Sequence, residues 1–249
     1  MQVAAYIIEE LTKYPLHFAL IDPDKQDVEK AGHLASIAEK AGSSVIMVGG
    51  STIASQQQVD ETVKAIKQEC NLPVVLFPSA AKFLSRYADA IFFMSLLNSR
   101  KLDYVIREHV KGSLIVKRFN LEPISMGYII VEPGMTAGRV GEADLIKRDD
   151  YETAVGYALA AQYLGMSLVY LEAGSGASQA VPNRMITDVK EMIDIPLIVG
   201  GGIRDAATAK EKVLAGADII VTGTALEEKG DPDKTLSDIV KKIRSCRRT

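Results

Sequence analysis

Short apolar runs recur along the chain, and each gives way to turn residues and then to a helical pattern. Strands are predicted at 16–22, 45–49, 74–78, 90–95, 128–132, 168–172, 197–200 and 219–223. Most of these runs are continuously apolar rather than alternating. That pattern belongs to strands buried on both faces, as in a parallel sheet wrapped by helices. Helices are predicted at 28–41, 59–70, 151–164, 206–215 and 232–244, with one before the first strand at 3–13 that closes the barrel bottom. Gly42 fits the C-terminal cap of the first of these, and Asp205 and Asp231 fit N-caps, the latter followed by Pro232. Strands alternating with helices imply parallel βαβ units. Eight such units in 249 residues imply a single closed (β/α)8 TIM barrel of parallel strands spanning residues 1–249. An open doubly wound sheet would need a glycine fingerprint after the first strand. The turn there reads Asp22-Pro23-Asp24-Lys25 instead.

The bulk numbers narrow the function. Lys+Arg is 29 and Asp+Glu is 32, a net charge of −3, which argues against bulk binding of nucleic acid. The 2 cysteines, Cys70 and Cys246, have no metal or redox spacing and suit a reducing cytosol. The N-terminus lacks a basic n-region, and no apolar run reaches a membrane span. A cytoplasmic protein is expected. The connection 133–150 is long and carries Gly134, Gly138 and Gly141, so a lid or binding loop is expected on the catalytic face.

In barrel enzymes the chemistry sits where the strands end. Strands six, seven and eight end in Glu172-Ala173-Gly174-Ser175-Gly176, Gly200-Gly201-Gly202-Ile203 and Thr222-Gly223-Thr224. Glycines let backbone N–H groups approach an anion, and helix N-termini behind them favour negative charge. Tight turns alone would also explain one such cluster; three at adjacent strand ends point to a phosphate site. Asp22 closes strand one and Ser51 follows strand two. A carboxylate with a hydroxyl is a sparse hard-oxygen set suited to Mg²⁺. Asp22 equally fits an Asx turn before Pro23, and Ser51 a helix cap. Glu172 is a candidate general base or a buried salt-bridge partner, and Glu132 holds the equivalent place on strand five. His17 falls at the barrel bottom, and His33 and His109 fall inside helices, so none is assigned catalysis. The stretch 91–97 is apolar enough to line a groove for a long ligand or to pack as core.

The motifs HFALIDPDK (17–25), VGGST (48–52), VLFPS (75–79), RYADAIFFMSLLN (86–98), MGYIIVEPG (126–134), YLEAGSGA (170–177), IVGGGIR (198–204) and VTGT (221–224) run through nearly the whole chain. In this order the chain resembles the geranylgeranylglyceryl phosphate synthases, in their larger archaeal-type group, with the bacterial heptaprenylglyceryl phosphate synthases as relatives. The resemblance implies transfer of a prenyl group from geranylgeranyl diphosphate to the 3-hydroxyl of sn-glycerol 1-phosphate, the first ether bond of archaeal membrane lipids. It implies Mg²⁺ at Asp22 and Ser51. It implies a glycerol 1-phosphate site built from Tyr170, Leu171, Glu172, Ala173, Gly174, Ser175, Gly176, Gly201, Gly202, Gly223 and Thr224. Some members carry Lys two residues before the metal Asp, where this chain has Leu20. The source of that positive charge is open among Lys25, Lys82, Arg139 and Lys147. A homo-oligomer is expected, with no nucleic-acid partner, no transmembrane segment and brief membrane contact as the lipid product leaves. Alternatives are another prenyl length or a phosphosugar isomerase or lyase on the same barrel, although no strand ends in the Lys that a Schiff base would need.

Overall fold

The strand runs fold into one closed barrel, in sequence order and all parallel. The architecture is seen in a computed structural model that describes residues 2–50, 52–53, 55–223 and 231–246. The strands are β1 (Leu16–Ile21), β2 (Val45–Val48), β3 (Val74–Leu76), β4 (Ala90–Leu96), β5 (Glu122–Ile130), β6 (Leu168–Glu172), β7 (Leu197–Gly200) and β8 (Ile219–Thr222). Closure comes from β1 pairing with β8, Leu16 opposite Ile219 and Ala19 opposite Thr222. Alternate residues point into the barrel and out towards the helices, so each strand is apolar on both faces. Phe18, Met47, Phe92, Met126 and Tyr170 pack together inside, while Ile129, Val169, Leu171 and Val199 pack outward in another layer. This two-sided burial explains why the runs read as unbroken apolar stretches.

The helices are α1 (Val3–Leu11), α2 (Val28–Ala41), α3 (Gln56–Glu69), α4 (Glu108–Phe119), α5 (Met135–Val140), α6 (Tyr151–Tyr163), α7 (Asn183–Met192), α8 (Ala206–Leu214) and α9 (Pro232–Ser245). The predicted caps are formed. Asp205 accepts from the Thr208 N–H at 2.8 Å and Asp231 from the Lys234 N–H at 3.1 Å, and α2 ends at Gly42. Helix α1 closes the barrel bottom. Its Val3, Ile7 and Leu11 join the interior cluster, and the Glu122 carboxylate at the foot of β5 accepts from the Val3 and Ala4 N–H groups at 2.5 and 3.0 Å.

Three departures matter. β5 begins at Glu122 rather than Tyr128. Pro123, Ser125 and Gly127 break the apolar run there, yet Ile124 and Met126 still point inward, so the segment alternates instead of reading as continuous. After β3 the expected helix is replaced by one 3₁₀ turn, Ala81–Phe83. Helix α4 is preceded by a wide π-helical turn, Asp103–Arg107, and was not legible as a periodic stretch, because apolar residues occupy both its buried and exposed faces. The missing helix after β3 leaves a gap between the outer face of β4 and α4.

Candidate active site

A cleft opens at the C-terminal end of the barrel and runs into that gap. Its polar end is lined by Asp22, Lys25, Gly50, Glu172, Ser175 and Gly223. The other end is lined by Leu84, Ile91, Phe93, Met94, Leu96 and Gly112, with Tyr104 and His109 from the α4 side. The apolar stretch 91–97 therefore serves both sequence readings: Phe92 is interior core, and Ile91 and Phe93 face the cleft. Ala137, Val140 and Gly141, on and just after α5, roof the cleft. The connection 133–150 thus lies over the catalytic face, as expected, and is partly helical.

Glu172 is the last residue of β6 and points inward. It is buried, and no lysine or arginine among the described residues pairs with it. Its Oε1 accepts the Gly174 N–H at 2.5 Å, and the Tyr170 hydroxyl hydrogen-bonds to the same carboxyl. Burial disfavours the charged form more than these two donors favour it, so the carboxyl is held above its ordinary pKa. Beneath it, Tyr170, Tyr128 and Phe77 form an aromatic floor with ring centres 5.2 to 5.8 Å apart. A carboxylate with a raised pKa at the mouth of a cleft is suited to accept a proton. The salt-bridge reading of Glu172 finds no cationic partner among the described residues. Glu132 lies beyond β5 and outside the cleft lining.

The glycine loops converge on Glu172. A side chain at Gly201 (φ +81°) would place its Cβ 2.3 Å from the Glu172 Oε1 and 2.6 Å from the Gly174 nitrogen. Only glycine allows loops six and seven to close on that carboxylate. Arg204 fixes loop six from behind, donating to the Ala177 carbonyl at 2.7 Å and the Gly176 carbonyl at 2.9 Å. Arg204 sits within IVGGGIR but was not singled out from sequence; its spacing after the glycines was the available signal. Of the predicted substrate-binding positions, Glu172, Ser175 and Gly223 line the cleft. Leu171 and Ala173 turn their side chains into the outer layer, so they contribute backbone alone. Thr224 and Ser51 lie outside the described residues.

Asp22 follows β1 directly. Its Oδ1 accepts the Asp24 N–H at 3.1 Å, the Asx turn anticipated from Pro23, and the carboxylate also faces the cleft. A Cβ at Gly50 would fall 2.2 Å from the Asp22 Oδ1, so the loop after β2 clasps this carboxylate closely. No cluster of three or more metal-binding side chains occurs among the described residues. One clasped carboxylate on a phosphate-facing cleft fits Mg²⁺ of the kind that keeps waters and shares phosphate oxygens. His17 lies low in the barrel wall and is held by Ser43 at 2.8 Å and Thr222 at 2.9 Å. It is not among the residues that line the cleft. His109 does line the cleft, its ring edge-on to Phe93 at 4.6 Å; burial lowers its pKa.

Comparisons with known proteins agree with this geometry. The family model described as "PcrB family" matches residues 7–243. The geranylgeranylglyceryl phosphate synthase of Pyrococcus furiosus is 55% identical over 99% of this chain and 97% of its own. The wild-type enzyme structure from Thermoplasma volcanium superposes with a TM-score of 0.97 at 46% identity, covering 100% of both chains. That of (S)-3-O-geranylgeranylglyceryl phosphate synthase from Thermoplasma acidophilum, in complex with its substrate sn-glycerol-1-phosphate, gives 0.96 at 45% identity over 98% of this chain and 99% of that one. Matched along nearly its whole length in sequence and in fold, the chain belongs to the PcrB family.

Proposed function

We propose that this chain joins geranylgeranyl diphosphate to the 3-hydroxyl of sn-glycerol 1-phosphate, giving geranylgeranylglyceryl phosphate and diphosphate. One observation carries the reading: a buried carboxylate, Glu172, with no ion pair among the described residues, stands between glycine-rich loops and the head of a cleft whose far end is apolar. That is a place for a phosphorylated acceptor beside a place for a hydrocarbon tail. The relatives' names support the same reaction.

Residues 174–176, 201–202 and 223–224 hold the acceptor phosphate through backbone N–H groups, which fixes the glycerol before reaction. Glu172 takes the proton from the 3-hydroxyl. The C–O bond to the diphosphate breaks with its electron pair leaving on the diphosphate oxygen, and the glycerol oxygen forms the new bond to the same carbon. Asp22 and Ser51 would hold Mg²⁺, which would supply neutralisation of the leaving group's charge. The apolar walls exclude water from the allylic carbon, and burial of the tail yields roughly 25 cal/mol per Å².

The protein acts in the cytoplasm as a homo-oligomer and meets the membrane only as its product leaves. In support, no helix among the described residues is long and apolar enough to cross a membrane, and the exposed Val110 and Leu114 of α4 are suited to cover by another copy. The test is radiolabelled sn-glycerol 1-phosphate incubated with C15, C20 and C35 prenyl diphosphates. A C20 ether product that depends on added Mg²⁺ is expected. No ether product with any of the three would overturn the reading.

A further inference from the structure

The cleft is poor in positive charge for a site that must admit an anionic diphosphate beside an aspartate. Among its described lining residues, Lys25 is the only lysine or arginine. The other cations considered from sequence lie elsewhere. Lys82 rests over the Phe83 ring at 4.8 Å, Arg139 reaches towards Thr136 at 3.5 Å, and neither they nor Lys147 line the cleft. The Lys25 Nζ stands 3.8 Å from the Asp22 Oδ2 and 3.4 Å from the Ser175 Oγ. One ammonium thus bridges the carboxylate on one side and the acceptor-phosphate loop on the other. Its side chain is 40% exposed on a flexible stem, so it can swing between partners at little cost.

We propose that Lys25 is a catalytic residue of the transfer: it binds the diphosphate of the prenyl donor and neutralises the charge that collects on the leaving oxygens. The acceptor phosphate has the glycine loops to hold it. Beside the Mg²⁺ that Asp22 and Ser51 would hold, the donor site has the Asp22 carboxylate, whose own charge repels a diphosphate, and Lys25 is the one lysine or arginine among the described residues that line it. Three donors on one nitrogen can leave Asp22 and Ser175 for phosphate oxygens as the C–O bond breaks. The departing electron pair then rests on an oxygen paired with an ammonium. This inference rests on the prenyl-transfer reading above; failure of the unaltered protein to turn over prenyl diphosphate would sink that reading, whereas a change confined to Lys25 variants bears on this residue alone.

The test is calorimetric binding of inorganic diphosphate and, separately, of sn-glycerol 1-phosphate. Both are titrated into full-length wild type, Lys25→Met and Lys25→Arg, with EDTA and then with Mg²⁺. Loss of a charge-assisted contact should weaken diphosphate binding by about tenfold or more in Lys25→Met under both conditions. Acceptor affinity should stay within about threefold, and Lys25→Arg should recover most of the loss. The side chain is half-exposed, so thermal midpoints should coincide; Lys25→Gln replaces the methionine variant if they do not. Diphosphate affinity unchanged in the neutral variants would overturn the assignment. So would a loss that falls equally on the acceptor, which would place Lys25 in the acceptor site.

Discussion

At the scale of single residues, Glu172 carries two opposed demands. Its burial without a cationic partner holds its pKa up. That makes it a stronger base and at the same time a destabilising charge. Glu172→Gln keeps the shape and most hydrogen bonds. It should lower kcat by about 10² to 10⁴ with little change in acceptor KM, as measured by steady-state kinetics. If KM rises and kcat holds, Glu172 only binds the glycerol hydroxyls. The same variant should melt at or above the wild-type temperature at neutral pH. The sign follows from linkage: the unfolded chain loses this proton at lower pH than the folded one, so stability falls as pH rises towards the raised pKa and the full penalty stands above it. Below the ordinary carboxyl pKa of 4.5, where both states are protonated, the two melting points should converge. His17 works in the opposite direction. Burial, helped by Arg244, lowers its pKa from 6.5 to about 3. Between those values only the unfolded chain takes up the proton, so stability is lost as pH falls through that window. His17→Gln should flatten this loss between pH 7 and 4 in thermal melts; an unchanged pH slope would acquit His17. Glu172, Asp22 and the glycine clusters were legible as residues that end strands. Two things were not. Gly201 reads in sequence as one glycine of a phosphate-site cluster, yet its Cβ would strike Glu172 itself. Substitution there would therefore displace the Glu172 carboxyl as well as loop six. Arg204 was invisible as an anchor because its role lies in which carbonyls it reaches, and those come from another loop.

Among the elements, the strands were the most legible and the lining of the cleft the least. Two-sided burial writes an unbroken apolar run, and most strand ends fell within two residues of their predicted places. Irregular elements write no such period. The 3₁₀ turn at Ala81–Phe83 and the π-helical turn at Asp103–Arg107 are where the barrel departs from its repeat, and they flank the apolar end of the cleft. The segment 133–150 was expected to be a lid or binding loop. It folds α5 over the cleft, with Ala137, Val140 and Gly141 against it, while Arg148 ties its far end to the Glu132 and Ala180 carbonyls at 3.2 and 2.8 Å. Neighbouring loops tie both ends of α5, the Gly134 N–H donating to the Ala173 carbonyl at 3.0 Å and the Ser99 hydroxyl to the Gly141 carbonyl at 2.6 Å, so any closure on a donor would be a small reseating of this short helix. Limited proteolysis should cut within 133–150 in the free protein, and more slowly with a prenyl diphosphate bound. Equal cutting rates in both states would show that the segment does not close on the donor.

For the whole molecule, the barrel separates two chemistries that one reaction must bring together. Loops after β1, β6, β7 and β8 gather carboxylates, an ammonium and glycine N–H groups on one side of the mouth. The gap after β3 supplies hydrocarbon walls on the other. On the proposed reaction, the donor's reacting carbon lies at this boundary and its tail runs along the apolar arm. Gly112 of α4 lines that arm, and a Cβ there would rest 3.5 Å from Ala81 and 3.6 Å from Leu84, ordinary contact with no backbone conflict. A larger side chain at this position would fill the arm without breaking the fold, and replacing a helical glycine should add about 0.5–1 kcal/mol of helix stability in partial compensation. Gly112→Leu should therefore leave acceptor KM unchanged and shift donor preference from C20 towards C10 and C15. The measurement is competition among the three diphosphates, with products separated by chain length. The shift should be large, because a tail that no longer fits must leave apolar carbons in water at roughly 0.8 kcal/mol for each CH₂ expelled. A Gly112→Leu variant that melts no lower than wild type and still prefers C20 would mean that the tail leaves the reaction centre by another route than the gap between β4 and α4.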